Sequence, residues 1–182
     1  MRRKLRIALC VLAPAWMLGA LLPTSAPAAV DMFLEVDGLR GETQDSKYKD
    51  AIDVLAFSWG VSNNGNKPNF QDLSATKYVD RTSPTLMEMV ASGKLVATAR
   101  LTVRKAGENP IDYLRYCFTG LRFTSLSSGG SGGEDRFTEN ISFNYATIVQ
   151  RYLPQNADGT AGSAIFGGWD VIKNLQYGNT TC

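Results

Sequence analysis

Apolar and polar residues alternate along most of the chain after residue 30, which is typical of β-strands that bury one face. Such alternating stretches cover residues 31–37, 95–104 and 137–150. Residues 70–80 are predicted to return as a strand, and residues 111–126 are rich in aromatic residues and long enough to cross a barrel. Residues 51–61 are apolar on both faces, which predicts either a strand buried on both sides or a strand of a closed barrel. A last strand is predicted within residues 164–177.

The stretch 95–104 has the most regular alternation and predicts one buried and one solvated face. The predicted buried face carries Leu95, Ala97, Ala99, Leu101 and Val103. The predicted solvated face carries Thr98, Arg100, Thr102 and Arg104. The strand therefore indicates a sheet with its apolar side on a core and its basic side in water.

One segment, SPTLMEMVASGK at 83–94, predicts a helix. Ser83 can cap its start, Pro84 fits the first helical position, and Gly93 fits the end. An apolar stripe of Leu86, Met87 and Val90 is predicted to pack on the core. Many strands and one helix predict a mainly β fold, a compact β-barrel of two packed antiparallel sheets with one short α-helix.

The first 28 residues have the three-part order of a secretory signal peptide. MRRKLR is basic, residues 7–22 are apolar and interrupted by Pro14, and Ala26-Pro27-Ala28 is a small-x-small cleavage site. We therefore predict a signal peptide at 1–28 and a single domain at 29–182, secreted or periplasmic and free of the membrane after cleavage. A retained N-terminal anchor is the alternative.

The predicted mature chain is weakly acidic. Cleavage removes four of the 19 Lys and Arg residues, which leaves 15 against 17 Asp and Glu, a net charge of −2. Nucleic-acid-binding domains typically carry a basic patch. The charge therefore disfavours a nucleic-acid partner.

The chain contains no histidine, which excludes Ser-His-Asp and Cys-His catalysis and the usual zinc sites. Paired carboxylates could still act as acid and base. The acidic candidates are scattered, and charged side chains are normally exposed. They are Asp50 with Asp53, Glu134 with Asp135, and Asp112. We predict that all lie at the surface, and that the protein is not an enzyme and uses no metal or cofactor.

The run SSGGSGGEDR at 127–136 could be a phosphate-binding loop or a turn. A phosphate loop needs a strand before it and a helix N-terminus after it. Here strands are predicted on both sides, and Glu134 and Asp135 would repel phosphate. We interpret the run as a turn between two long antiparallel strands, built on Gly129, Gly130, Gly132 and Gly133.

Two cysteines, Cys117 and Cys182, remain after the predicted cleavage. An exported chain meets oxidising conditions, so these residues can form a disulfide. The alternative is a buried free thiol at Cys117 and a frayed terminal Cys182, and the sequence leaves both open.

Several segments together resemble the haemolysin-coregulated protein (Hcp) family of type VI secretion. The similarity covers about residues 30–175 and keeps the order of unrelated motifs. They are 30-VDMFLEVDGLRGE-42, 52-IDVLAFSWGVS-62, 71-QDLSATKYVDRTSPTLMEMVASGK-94, 100-RLTVRKAG-107, 127-SSGGSGGEDRFTENISFNYA-146 and 153-LPQNADG-159.

The resemblance implies a compact β-barrel with a short helix that assembles with itself. In this family the subunits form hexameric rings, the rings stack into a tube, and the lumen can carry effectors. The implied protein is a structural tube or carrier component whose partners are itself, the secretion apparatus and effectors.

Two features depart from the family pattern. Its tube proteins ordinarily lack a signal peptide, and their loop that helps rings stack is long and glycine-rich. Here residues 62–69 are short, which predicts weak stacking; the loop contains Asn63, Asn64, Gly65, Asn66 and Lys67. The alternative function is an exported monomeric β-barrel that binds a small ligand or a glycan.

Overall fold

The computed structural model describes residues 30–107, 110–178 and 182, so the predicted signal peptide at 1–28 lies outside the described residues. Between them these residues form β-strands and one α-helix. The strands are β1 (Val30–Val36), β2 (Ile52–Ser58), β3 (Val61–Ser62), β4 (Asn69–Phe70), β5 (Leu73–Tyr78), β6 (Val96–Lys105), β7 (Ile111–Gly129), β8 (Thr138–Asn144), β9 (Thr147–Tyr152), β10 (Ile165–Asp170) and β11 (Leu175–Gln176). The helix is α1 (Ser83–Ser92).

Six strands close into a barrel in the order β7-β6-β1-β2-β5-β8, because β8 pairs back onto β7. All of these pairings are antiparallel. Strands β9, β10 and β11 continue the sheet outward from β7, and we call this part the sheet extension. The predicted mainly β barrel with one short helix is confirmed.

The barrel closes because the long strand β7 changes partner along its length. Its first half pairs with β9 up to Thr119, and its second half pairs with β8 from Arg122 onward. Gly120 lies at the change with φ of +59°, and a Cβ there would come 3.0 Å from the Cβ of Ala146. A left-handed backbone suits glycine, so this residue permits the change of partner.

The core lies inside the barrel and follows the predicted alternation. On β6, Ala99, Leu101 and Val103 are buried as predicted. Leu95 is 56% exposed and Ala97 is also exposed, so the prediction of these two residues as core was wrong. Leu95 precedes the strand, whose pairing starts with Val96 opposite Leu121, and Val96, which lies between the two, takes the buried position instead.

Strand β2 is buried on one side only. Ile52 and Val54 point into the core, whereas Leu55 is exposed. The pairing with β5 shifts register between Val54 and Ala56, which is a bulge. Of the two predicted alternatives, the strand buried on both sides was wrong and the strand of a closed barrel is confirmed.

Helix α1 occupies the predicted position with a different buried stripe. Leu86 and Met89 are buried, whereas Met87 is 58% exposed, so the prediction for Met87 was wrong. Gly93 ends the helix at φ +64°, and Thr82 rather than Ser83 takes the N-cap position. No helix in the described part of the chain is long and apolar enough to cross a membrane.

Candidate functional site

The outer face of β1 and β6 is covered by residues 41–50 rather than by solvent. The ring of Tyr48 stacks on Phe33 with centroids 4.5 Å apart, and the guanidinium of Arg104 lies 4.8 Å from the Phe33 ring. Arg104 also donates to Asp45 at 2.5 Å. The predicted solvated face was therefore wrong at Thr102, which is fully buried beneath this cover.

The ion pair with Arg104 changes the pKa of Asp45. The hydrogen bond from Arg104 is the main cause that lowers the pKa of Asp45. A second ion pair on the same face joins Arg100 to Glu35 through Nε at 2.8 Å and Nη2 at 2.9 Å. Arg100 and Arg104 are thus neutralised within the chain, whereas Lys105 at the end of β6 donates to the amide oxygen of Gln155. The two arginines of this face are therefore already paired and are not free to bind an anionic partner.

Asp112 is an ion-paired anchor, and its predicted surface position was wrong because it is only 7% exposed. Its Oδ2 atom accepts from Lys47 at 2.6 Å, the Tyr48 hydroxyl at 2.6 Å and Arg115 at 2.8 Å. Burial alone would raise the pKa of Asp112, but these donors outweigh it and lower the pKa. The carboxylate ties residues 41–50 to β7.

The other acidic candidates are exposed or half-buried. Asp53, Glu134 and Asp135 are exposed as predicted, and Glu134 accepts a hydrogen bond from Ser131 at 3.0 Å. Asp50 lies in a turn where its carbonyl accepts from the Gly41 amide. Among the residues that the structure describes, no group of three or more acidic or cysteine side chains could hold a metal ion.

A fully buried ion pair, which was not predicted from the sequence, joins β5 to β8. Lys77 donates from Nζ to Glu139 at 2.6 Å, to Asp80 at 2.9 Å and to the Tyr78 carbonyl at 2.8 Å. Ser83 at the start of α1 donates to Glu139 at 2.6 Å. The strand parity holds a usable signal, because Lys77 follows Leu73 and Ala75 on the inward side.

The structure brings Cys117 and Cys182 together. Their sulfur atoms lie 2.12 Å apart and their Cα atoms 5.6 Å apart. Cys117 is on the outward side of β7, between Arg100 of β6 and Val149 of β9. Both cysteines line a cleft of about 660 Å³ between β1, β6, β7 and residues 38–51.

The predicted glycine turn and stacking loop both lie at the surface. Strand β7 ends at Gly129 and β8 begins at Thr138, so Gly130, Gly132 and Gly133 fall in the connection. The stacking loop joins β3 to β4, and the Gly65 amide donates to the side chain of Asn63 at 2.7 Å. Residues 63–67 are exposed, so the loop presents mainly amide groups and one lysine.

Aromatic residues lie where the barrel meets the sheet extension. Trp59 contacts Phe70 and Tyr116, and Phe70 stacks on Trp169 of β10 with centroids 6.5 Å apart. Trp59 also donates from its indole N–H to the Tyr145 hydroxyl. Burial raises the pKa of Tyr145 to about 12, so this hydroxyl stays protonated at neutral pH.

The sequence of this chain matches a known protein family. The family described as "Type VI secretion system effector, Hcp" matches residues 33–152. The chain is similar to protein hcp1 of Pseudomonas aeruginosa, with 44% identity over 160 residues that cover 81% of this chain and 99% of that protein.

Solved structures agree with the family match. A type six secretion system protein has a TM-score of 0.79 and 31% identity, covering 82% of this chain and 100% of its own. Hcp1 from Salmonella typhimurium has a TM-score of 0.74 and 35% identity, covering 82% of this chain and 99% of its own.

Proposed function

Because the chain belongs to the Hcp family of type VI secretion, we propose that its mature form assembles into closed hexameric rings. The family's members are tube and ring components. The observation that carries the proposal is the 44% identity to protein hcp1 of Pseudomonas aeruginosa. The matched region covers 99% of that protein, so this chain spans the whole of its domain. Its role is structural and not enzymatic, with a lumen able to hold effector proteins.

Closed rings need two different surfaces on each subunit, because every copy contacts its neighbours head to tail. The barrel has its strands paired into a closed circle, and the sheet extension projects from one side of it. This asymmetry supplies distinct surfaces for the two neighbours.

The rings stack weakly. The loop between β3 and β4 spans residues 63–68, and its exposed part consists of Asn63, Asn64, Gly65, Asn66 and Lys67. Amide groups and a lysine offer little apolar area to bury between rings. Short stacks or single rings follow from this composition.

The chain is exported and cleaved between Ala28 and Ala29. The location is supported by the basic start, the apolar run and the small-x-small site. Intact mass of protein from the envelope and medium tests it, since a mature chain should begin at Ala29. Full-length chain found only in the cytoplasm would exclude export.

Negative-stain electron microscopy of the mature protein tests the assembly. We expect six-fold rings with a central opening and few stacks. Particles the size of one subunit would instead support a monomeric binding module. Long tubes formed by the purified protein alone would overturn the proposed effect of the short loop.

A further inference from the structure

The end of the chain after β10 has a weak non-covalent attachment in the described part of the molecule. We call residues 171–178 the C-terminal segment. Within it, β11 pairs with β10 at two positions, and the Tyr177 amide donates to the Gly168 carbonyl at 3.0 Å. Residues 172–176 are all exposed, so they bury little surface against the barrel. A segment with few buried contacts opens at a low free-energy cost.

Cys182 adds a covalent attachment to this weakly held end. Its sulfur is bonded to that of Cys117, 65 positions earlier on β7. Strand β7 is firmly held at this point, because Cys117 lies between Arg100 of β6 and Val149 of β9 in the paired sheet. The disulfide therefore joins a chain end that opens readily to a strand that does not.

The disulfide faces a cleft rather than the core. Both cysteines are half-buried, and both line the cleft of about 660 Å³ between β1, β6, β7 and residues 38–51. Reduction of a disulfide by thiols begins when a thiolate reaches one of its sulfur atoms. Clefts of this size accept small organic molecules. A small dithiol can therefore reach the bond while the barrel remains folded.

The barrel is held by contacts that do not involve this bond. Its six strands close through main-chain pairing, and Cys182 belongs to none of them. On either side of Cys117, Tyr116 and Phe118 point into the core and are buried there. The wall of the cleft is held by the ion pair of Arg100 with Glu35. Breaking the disulfide leaves all of these contacts in place.

We propose that Cys117 and Cys182 form a redox latch, which fixes the end of the chain at the cleft when oxidised and releases it when reduced. Reduction by a dithiol transfers two electrons to the disulfide and breaks its S–S bond. The two sulfur atoms of the dithiol join to each other, and its two thiol protons pass to the sulfurs of Cys117 and Cys182. The cleft then presents a free thiol at Cys117. The latch is closed in oxidising surroundings and open in reducing ones.

Treatment of the oxidised mature protein with dithiothreitol, in the absence of denaturant, tests the latch. We expect the two remaining cysteines, Cys117 and Cys182, to become reactive towards a thiol reagent while the far- and near-UV circular dichroism of the folded protein is retained. In hydrogen-exchange mass spectrometry, amides of the C-terminal segment should exchange at least about tenfold faster after reduction. Amides of β8, a barrel strand that contains neither cysteine, should stay protected over the same labelling times.

The Cys182→Ser variant is the matched control. Its C-terminal segment should exchange as fast as that of the reduced wild type, and dithiothreitol should cause no further change. Free thiols before treatment, reduction that requires denaturant, or unchanged exchange in the C-terminal segment after reduction would each overturn the latch. Loss of the circular dichroism signal on reduction would also overturn it, because the bond would then hold the barrel itself. None of these outcomes depends on ring assembly, so the proposed ring function is tested separately.

Discussion

Lys77 carries a charge in the core, where an unpaired ammonium would be strongly unfavourable. Its side chain is 0% exposed, and Glu139, which faces it on β8, is 1% exposed. Asp80 and the Tyr78 carbonyl supply further acceptors. The ammonium group of Lys77 is stabilised because these three acceptors match its three N–H donors. Ser83 also donates to Glu139, so the same network holds the start of α1 in place.

Replacing Lys77 with Met should lower the free energy of unfolding by about 3–5 kcal/mol, the usual cost of removing one partner from a buried ion pair. The cause is the uncompensated carboxylate of Glu139. Urea denaturation followed by circular dichroism measures the loss.

The double variant Lys77→Met with Glu139→Leu serves as the control and should recover much of that loss, because apolar replacements of a buried pair are often tolerated. A single Lys77→Met variant that loses less than about 1 kcal/mol would place the pair in the range of surface ion pairs and contradict this account.

Asp112 should make the free energy of unfolding depend on pH in the acidic range. Its pKa is lowered in the folded state, so its contribution is fully present above the ordinary Asp value of about 3.9 and is lost as pH falls through the lowered folded value. We expect the wild type to exceed Asp112→Asn in unfolding free energy at pH 7. That difference should shrink below about pH 4. A difference that stays constant from pH 7 into acid would contradict the assignment.

Most elements could be predicted from the sequence because each buries one face. The helix position follows from Pro84 and Gly93, and strand parity correctly gives Leu101 and Val103 as core. A barrel was predicted, but the way it closes could not be, since closure depends on β7 changing partner at Gly120. Parity also fails near strand ends and bulges, as at Leu95 and Leu55.

The candidate surfaces could be predicted only in part from the sequence. Residues 41–50 contain few apolar side chains, so nothing local indicates that they cover Thr102 and pair with Arg104. The burial of Asp112 depends on Lys47 and Tyr48, which lie 65 and 64 positions earlier in the chain. Such long-range pairing leaves no periodic signal in the chain.

The C-terminal end should be fastened to β7 by a Cys117–Cys182 disulfide. The two residues are 65 positions apart, and a closed loop of that size contributes roughly 4 kcal/mol in the chain-entropy model. Reduction of the mature protein, or the Cys182→Ser change, should lower the unfolding free energy by about that amount. Denaturant titration with and without reductant measures it.

The control for this prediction is the Cys182→Ser variant, on which reductant should have no further effect. Thiol counting under denaturing, non-reducing conditions provides a direct check. Two free thiols per mature chain in protein purified from the periplasm or medium would show that the bridge is not formed.

The molecule as a whole combines a closed barrel with one open side. The charged groups of the β1 and β6 face are paired within the chain, for example Arg100 with Glu35 and Arg104 with Asp45. The apolar edge at Ile165 and Phe166 is left uncovered among the described residues. Association is therefore expected to proceed mainly through apolar and main-chain contacts, and to depend weakly on salt.

The molar mass of the mature chain, measured by light scattering over a range of micromolar concentrations, tests the central claim most directly. We expect a species of six times the subunit mass, unchanged when salt is raised. A mass of one subunit at every concentration would contradict assembly into rings.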